Sequence, residues 1–193
     1  MLLFIGWSGR TSEKIAKSLK RWIENVNPNV ASFVSFEDIS LGTNWRETLY
    51  QALEDTNYGI LCVTPDNRNA PWLVFETAQM ELAMRQHNPQ GKPYIVPLLF
   101  CVESIDLPSL FSQYQSAKFN RDTMWRLVKE TNGVCRKLYG VELSKVGLVD
   151  DDIDMTYLTP KKLESLERRF DALYMNLESE VMEILKLAGY LSR

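Results

Sequence analysis

The sequence predicts an α/β domain, in which a parallel sheet carries helices on both of its faces. Four apolar runs in the 193-residue chain alternate with segments whose apolar residues recur every three or four positions. Short apolar runs closed by turn residues are typical of buried strands, and the periodic segments are typical of amphipathic helices. Repeated alternation of this kind favours parallel strands joined by right-handed helical crossovers. A long amphipathic helix near the C-terminus adds a helical extension.

The predicted elements follow one another with short connections. The strands are predicted at residues 2–7, 30–36, 58–63 and 94–102, with a short edge strand within 115–119. The helices are predicted at about residues 11–26, 44–53, 71–86, 121–139 and 159–189. Pro97 lies inside the fourth strand, where its missing N–H indicates a bulge or an edge.

Polar residues and a proline mark the expected helix starts. Thr11 or Ser12 can cap the first helix, and Asn44 can cap the second, with Glu47 in the capping-box position. Pro71 fits the first turn of the third helix, where a backbone N–H is not needed. In a sheet of this type the ligand site lies beyond the carboxyl ends of the strands. The loops at residues 8–10, 36–43 and 64–71 are therefore the places to look for a site.

The charge of the chain excludes some classes of partner. Twenty-two Lys and Arg residues stand against 25 Asp and Glu residues, for a net charge of −3. Without a basic excess, binding to nucleic acid through phosphate neutralisation is not expected. No segment approaches the roughly 20 consecutive apolar residues of a membrane-spanning helix, so no membrane association is expected.

The cysteine and histidine content indicates a cytoplasmic protein without a metal centre. Cys62, Cys101 and Cys135 are odd in number and far apart, which is typical of reduced thiols. His87 is the only histidine in the sequence, which leaves little room for a His-rich metal site or a Ser-His or Cys-His dyad. The acidic cluster at residues 150–154 lacks the glycine and glutamate of a calcium loop and fits a solvated loop.

Trp72 and Glu76 form the most informative pair in the sequence. They are four positions apart near the start of the third helix, so they share a helix face close to the predicted ligand crevice. A flat cationic ring can stack on an indole for roughly 0.5–2 kcal/mol. A carboxylate beside it can accept hydrogen bonds from ribose hydroxyls and stabilise positive charge at an anomeric carbon. On the far side of this helix, Leu73, Val74, Ala78 and Leu82 are expected to face the core.

The same spacing has a structural explanation. A Trp can anchor the start of a helix, and a Glu in the first turns is favoured by the helix dipole. On spacing alone this structural role is the commoner one. Two further features indicate a functional site more weakly. Gly9 and Arg10 after the first strand can bind an anion or form an ordinary turn. The loop at 36–43 can cover a crevice or simply connect two elements.

Five stretches, in order, resemble bacterial TIR (Toll/interleukin-1 receptor) domains. Residues 4–9 (FIGWSG) resemble their first strand, and residues 33–45 (FVSFEDISLGTNW) resemble their second strand and BB loop. Residues 60–67 (ILCVTPDN) are similar to their third strand, and residues 70–76 (APWLVFE) to the helix with the Trp-xxx-Glu pattern of NAD-cleaving members. Residues 94–100 match the later part of the bacterial form, as does the Asp-Leu-Pro turn after them. Gly6 departs from the Ser or Asp that many members carry in strand one.

The resemblance implies a flavodoxin-like sheet and cleavage of the nicotinamide–ribose bond of NAD+, which is then a substrate and not a cofactor. The catalytic glutamate of the family falls on Glu76. The residues that the resemblance implies for the NAD+ pocket are Trp7, Ser8, Gly9, Arg10, Ser35, Trp45 and Trp72. It also implies self-association through the BB loop, Phe36 to Thr43, and antiphage signalling in which an ADP-ribose-derived nucleotide, linear, cyclic or conjugated, reaches an effector protein.

The resemblance covers about residues 1–140, which we interpret as the TIR domain. Residues 141–193 are then an acidic loop and a long C-terminal helix packed on the domain or at an oligomer interface. Two alternative functions remain open from the sequence. One is a non-catalytic TIR interaction module, and the other is an enzyme like the nucleoside deoxyribosyltransferases, which also place a carboxylate at an anomeric carbon.

Overall fold

A computed structural model of the chain describes residues 1–27, 30–34, 42, 44–87, 92–139 and 160–191. The strands are β1 (Leu2–Gly6), β2 (Ala31–Val34), β3 (Tyr58–Val63), β4 (Ile95–Leu99) and β5 (Ala117–Lys118). The helices are α1 (Arg10–Val26), α2 (Trp45–Glu54), α3 (Pro71–His87), α4 (Ser109–Ser112), α5 (Arg121–Tyr139) and α6 (Pro160–Leu187). A single 3-10 turn, Ser104–Asp106, lies between β4 and α4.

The described strands form one parallel sheet in the order β2-β1-β3-β4-β5. This order, with helices on both faces, is consistent with a flavodoxin-like α/β fold and confirms the predicted fold class, including the C-terminal helix. β3 and α5 have the predicted bounds. β4 is shorter than predicted, because its apolar run continues past Leu99, its last residue paired with β3. The predicted end of β2, residues 35 and 36, lies outside the described residues.

Alternation along the strands divides the core into two layers. Leu3 and Ile5 of β1 face a layer made with α1, α5 and α6, and Phe4 faces a layer made with α2 and α3. Because successive side chains of a strand point to opposite faces, Gly6 lies on the same face as Phe4. The end of β1 therefore meets α3 through a residue without a side chain.

Two helix starts differ from the sequence expectation. The first residue of α1 is Arg10, one residue before the expected caps, and its N-cap is Gly9 at φ 85°. Ser12 thus lies inside the first turn, where its hydroxyl accepts the Ser8 N–H and donates to the Ser8 carbonyl. Asn44 is the N-cap of α2 as predicted, but its side chain makes no capping hydrogen bond.

The buried face of α3 is not the one expected from its apolar residues. Leu73 is fully buried, whereas Val74 and Leu82 are 36% and 53% exposed. The residues of α3 that face the core are Leu73, Glu76, Thr77, Met80, Ala83 and Met84. Since α3 carries apolar residues all round, its periodicity does not choose between the two faces, and the expectation for Val74, Ala78 and Leu82 is wrong.

α6 is packed against α1 and α5 as part of the domain core. Its buried stripe consists of Leu166, Phe170, Tyr174, Leu177, Val181 and Leu185, all at most 4% exposed. The centroid of the Phe170 ring lies 4.7 Å from the ring centroid of Trp125 in α5 and 5.9 Å from the ring centroid of Trp22 in α1. The stripe joins the same cluster as Leu3 and Ile5 of the sheet. Among the described helices, none is both long and apolar enough to cross a bilayer.

A glycine ends α6 and directs the chain back toward the sheet. Gly189 has φ 79°, and its N–H donates to the carbonyl of Lys186. The Tyr190 N–H donates to the carbonyl of Leu185, which completes a Schellman motif. Only glycine adopts this backbone conformation without strain.

Two glycines of this fold are expected to respond oppositely to alanine. Gly189→Ala should lower the free energy of unfolding by about 1 kcal/mol, since the left-handed conformation penalises a Cβ. Gly133→Ala in α5 should raise the free energy of unfolding by about 0.5–1 kcal/mol, because a Cβ there meets nothing within 4 Å beyond its own stretch of helix and alanine stabilises a helix interior. Urea unfolding of both variants measures this, and a stabilised Gly189→Ala protein would contradict the assigned motif.

Candidate active site

Glu76 lies beneath Trp72 at the carboxyl end of the sheet. Its side chain is fully buried, at 0% exposure, and the Trp72 Nε1–H donates to its Oε1 over 2.8 Å. The other carboxylate oxygen, Oε2, points at the end of β1. The two residues that the sequence singled out are thus in direct contact, at the edge where ligands bind in this fold class.

Gly6 makes room for this carboxylate. A Cβ added at Gly6 would lie 2.9 Å from Cδ2 of Leu61 and 3.0 Å from Oε2 of Glu76. Both distances are shorter than van der Waals contacts allow. Glycine at this position, a departure from the family pattern, therefore lets Glu76 and Leu61 pack against the end of β1 without shifting.

An aromatic cluster surrounds the outer side of Trp72. The centroid of the Trp45 ring, at the start of α2, lies 6.3 Å from the centroid of the Trp72 ring. The centroid of the Phe75 ring lies 5.5 Å from that of Trp72. A cavity of about 210 Å³ opens among them and is lined by Trp45, Arg46, Leu49, Tyr50, Trp72 and Phe75. The Arg46 guanidinium lies 5.2 Å from the centre of the Trp45 ring. The site therefore combines flat aromatic surfaces with a positive charge.

The exit of β1 lies on the other side of Glu76. Trp7 and Ser8 are half-buried, and Gly9 and Arg10 are exposed. The positive φ of Gly9 turns the chain into α1. Arg10 forms no ion pair among the described residues, so its guanidinium is available to an anionic ligand.

The remaining predicted residues of this region fall outside the described residues. These are Ser35 and the BB loop at 36–43, of which only Gly42 is described. Trp45 lies two residues after the end of this loop and is 38% exposed. The acidic cluster at residues 150–154 also falls outside, and the described part of the chain holds no group of His, Cys, Asp and Glu suited to a metal ion.

The predicted turn after β3 adds polar residues that are not among the predicted site residues. The Asn67 side chain accepts the Thr64 N–H and donates to the Cys62 carbonyl, which fixes the turn. Asp66 accepts hydrogen bonds from the Thr64 hydroxyl, at 3.0 Å, and from the Tyr190 hydroxyl. The end of α6 thus reaches the rim of the site. Asx residues after a strand do signal such a turn, but nothing local connects Tyr190 with it.

Cys62 is a buried neighbour of the site without nucleophilic character. Burial raises the pKa of the Cys62 thiol, and the negative charge of Glu76 raises it further. Since the thiolate is the reactive form of cysteine, a thiol held protonated in this way is not a nucleophile. Cys62 is therefore not a candidate to act on a substrate.

A known family of protein domains matches about two thirds of the chain. Residues 3–130 match the TIR domain family. The chain belongs to the TIR domain family. No curated protein matches the chain. The matched residues of this TIR protein include residues 3–6 of β1, Trp45, Trp72 and Glu76, whereas α6 and Tyr190 lie beyond the match.

Proposed function

We propose that this TIR protein is an NAD+ nucleosidase that cleaves the bond between nicotinamide and ribose. The observation that carries the proposal is the Trp72–Glu76 pair, held against the end of β1 at the carboxyl edge of the sheet in a TIR domain. An indole and a carboxylate are the two groups that a cationic ring attached to a sugar requires.

Glu76 would act on the ribose and not on the leaving group. Nicotinamide in NAD+ is already cationic, so it departs as a neutral molecule and needs no general acid. The barrier lies in the positive charge that develops at the anomeric carbon, and a nearby carboxylate in a water-poor site stabilises that charge. Water, or a nucleophile within the same ADP-ribose, then attacks the carbon.

The aromatic cavity supports binding of the nicotinamide end. Its volume of about 210 Å³ is sufficient for a single flat ring, and Trp45, Trp72 and Phe75 supply the ring faces. The exposed guanidiniums of Arg46 and Arg10 suit the diphosphate, which carries the negative charge of the substrate. We assign no metal or cofactor to this reaction.

Access to Glu76 requires Trp72 to move. Because the carboxylate is fully buried and bonded to the indole N–H, substrate reaches it only when the indole swings outward. The ribose hydroxyls then replace the indole N–H as hydrogen-bond donors to Glu76. We propose that self-association through the BB loop drives this opening, since Trp45 follows the loop and packs on Trp72.

We propose a signalling role for the product. Linear ADP-ribose, a cyclic isomer or a conjugate would carry the signal to a downstream effector protein in antiphage immunity. The identity of the product depends on how the pocket folds the ADP-ribose before attack.

The test is incubation of concentrated protein with NAD+, followed by mass spectrometry of the products. Nicotinamide and an ADP-ribose derivative are expected, and deoxynucleosides offered in parallel should stay intact. Base exchange between deoxynucleosides without nicotinamide release would instead support the deoxyribosyltransferase alternative.

A second candidate, a non-catalytic interaction module, is favoured by one observation. Val74, Ala78 and Leu82 form an exposed apolar stripe at helical spacing along α3, while Glu76 beneath the same helix is covered. Exposed apolar stripes mark protein interfaces. Under this alternative, Leu82→Glu would reduce self-association measured by light scattering, and no concentration of protein would release nicotinamide.

A further inference from the structure

A second, larger cavity lies at the opposite end of the sheet from Glu76. Its volume is about 760 Å³, and it is lined by the first residues of β3 and β4, Tyr58 and Ile95. Glu76, in contrast, lies against Gly6, the last residue of β1. Small-molecule sites have volumes of about 300–1,000 Å³. The cavity is therefore large enough for a ligand of nucleotide size and is separate from the candidate active site.

The cavity exists because β5 is short. β5 pairs only with Leu98 and Leu99, although β4 begins at Ile95. No β5 residue therefore lies opposite the first part of β4. The gap at this sheet edge is enclosed by α3 on one side and α5 on the other, and residues 113–117 form its outer wall.

One wall of the cavity is a partly exposed aromatic ring. The Tyr94 ring stacks on the Tyr58 ring with centroids 5.9 Å apart and planes 10° apart. Tyr58 is 1% exposed, whereas Tyr94 is 38% exposed. Tyr94 thus has one covered face and a second face that a planar ligand can stack on, held in place by the buried ring behind it.

The carboxylates of the cavity are already engaged by the protein. Glu81 accepts from the Arg85 guanidinium at 2.7 and 2.9 Å and from the Tyr114 hydroxyl. The Tyr114 hydrogen bond and Arg85 hold the pKa of Glu81 below its usual value. Glu130, which also lines the cavity, accepts hydrogen bonds from the Arg126 guanidinium at 2.7 Å and from the Tyr58 hydroxyl at 3.2 Å.

The remaining charge of the cavity is positive. Its lining contains three cations, Arg85, Lys92 and Arg126, against two carboxylates. Lys92 is exposed and forms no ion pair with any described residue. Lys137 adds a further ammonium, 3.5 Å from the Tyr94 hydroxyl. In a chain with a net charge of −3, this local excess favours an anionic ligand.

We propose that this cavity is a second ligand site, which binds a nucleoside monophosphate or a closely similar aromatic anion. The aromatic base stacks on the open face of Tyr94, and the phosphate pairs with the ammonium of Lys92. The site does not depend on the proposed cleavage of NAD+, since no residue of the Trp72–Glu76 site lines it.

Calorimetric titration of the full chain with AMP, adenosine and inorganic phosphate tests the proposal. AMP should bind more tightly than either of the other two, because only AMP engages both Tyr94 and Lys92. Tyr94→Ala should weaken AMP and adenosine alike by at least fivefold, from the loss of base stacking worth about 1–3 kcal/mol. Lys92→Ala should weaken AMP but leave adenosine unchanged.

Two control variants distinguish binding in this cavity from binding at the Trp72–Glu76 site or elsewhere on the surface. Lys118→Ala removes an exposed lysine that pairs with Glu103 outside the cavity, and it should leave AMP binding unchanged. Glu76→Gln should also leave it unchanged, even if that variant abolishes nicotinamide release. The proposal is overturned if AMP does not bind at millimolar concentration, or if AMP binding survives both Tyr94→Ala and Lys92→Ala.

Discussion

Glu76→Gln is expected to leave the protein folded and to reduce nicotinamide release by about 10²–10³-fold, the usual effect of removing one electrostatic contact to a transition state. The amide keeps the size of the side chain, and its oxygen can still accept the Trp72 N–H that Glu76 accepts at 2.8 Å. The variant therefore removes the negative charge of residue 76 and changes little else. Nicotinamide release at equal protein concentration measures the effect.

Glu54→Gln is the matched control for this substitution. Glu54 is an exposed residue at the end of α2, without an ion pair among the described residues. Glu54→Gln should retain full activity and should unfold at the same temperature as Glu76→Gln. Unchanged nicotinamide release by Glu76→Gln would show that the carboxylate has no part in the reaction.

Gly6→Ala is expected to reduce kcat by about tenfold with a smaller change in KM, because a ~1 Å displacement of a catalytic group can cost about 10²-fold and the contact here requires a smaller shift. The added Cβ would come within 3.0 Å of the Glu76 Oε2 and 2.9 Å of Leu61, so the carboxylate has to shift. Overpacking of this kind also destabilises a protein by about 1–3 kcal/mol. Steady-state kinetics below the unfolding temperature measures the catalytic part.

Gly59→Ala separates displacement of Glu76 from general overpacking. A Cβ at Gly59, in the first half of β3, would lie 2.8 Å from the sulfur of Met80 and would overpack the same layer without contacting Glu76. Gly59→Ala should lower the free energy of unfolding about as much as Gly6→Ala does, but it should keep the kcat of the wild-type protein. An equal loss of kcat in the two variants would contradict a positioning role for Gly6.

Much of the fold was predictable because local signals agree with the tertiary structure. The apolar runs of β1 and β3 are bounded by turn residues, and Pro71 begins α3 as its fixed φ predicts. α3 shows where such reasoning fails. With apolar residues on both faces, its orientation is decided by packing on the sheet, which placed Glu76 inward and Leu82 outward.

The candidate site was only partly predictable. The spacing of Trp72 and Glu76 places them on one helix face, but it does not reveal that the indole edge bonds the carboxylate and covers it. The contact between Gly6 and Glu76 depends on how α3 packs on β1. Tyr190 meets Asp66 across 124 positions of sequence, and no periodicity or motif reports a contact at that distance.

Cleavage of NAD+ by this protein is tested most simply by a time course. Concentrated wild-type protein is incubated with NAD+, and nicotinamide and ADP-ribose-derived products are quantified by mass spectrometry. We expect equal molar amounts of nicotinamide and of ADP-ribose products, at a rate that rises more steeply than protein concentration as subunits assemble. Intact NAD+ throughout, in samples that light scattering shows to be assembled, would contradict it.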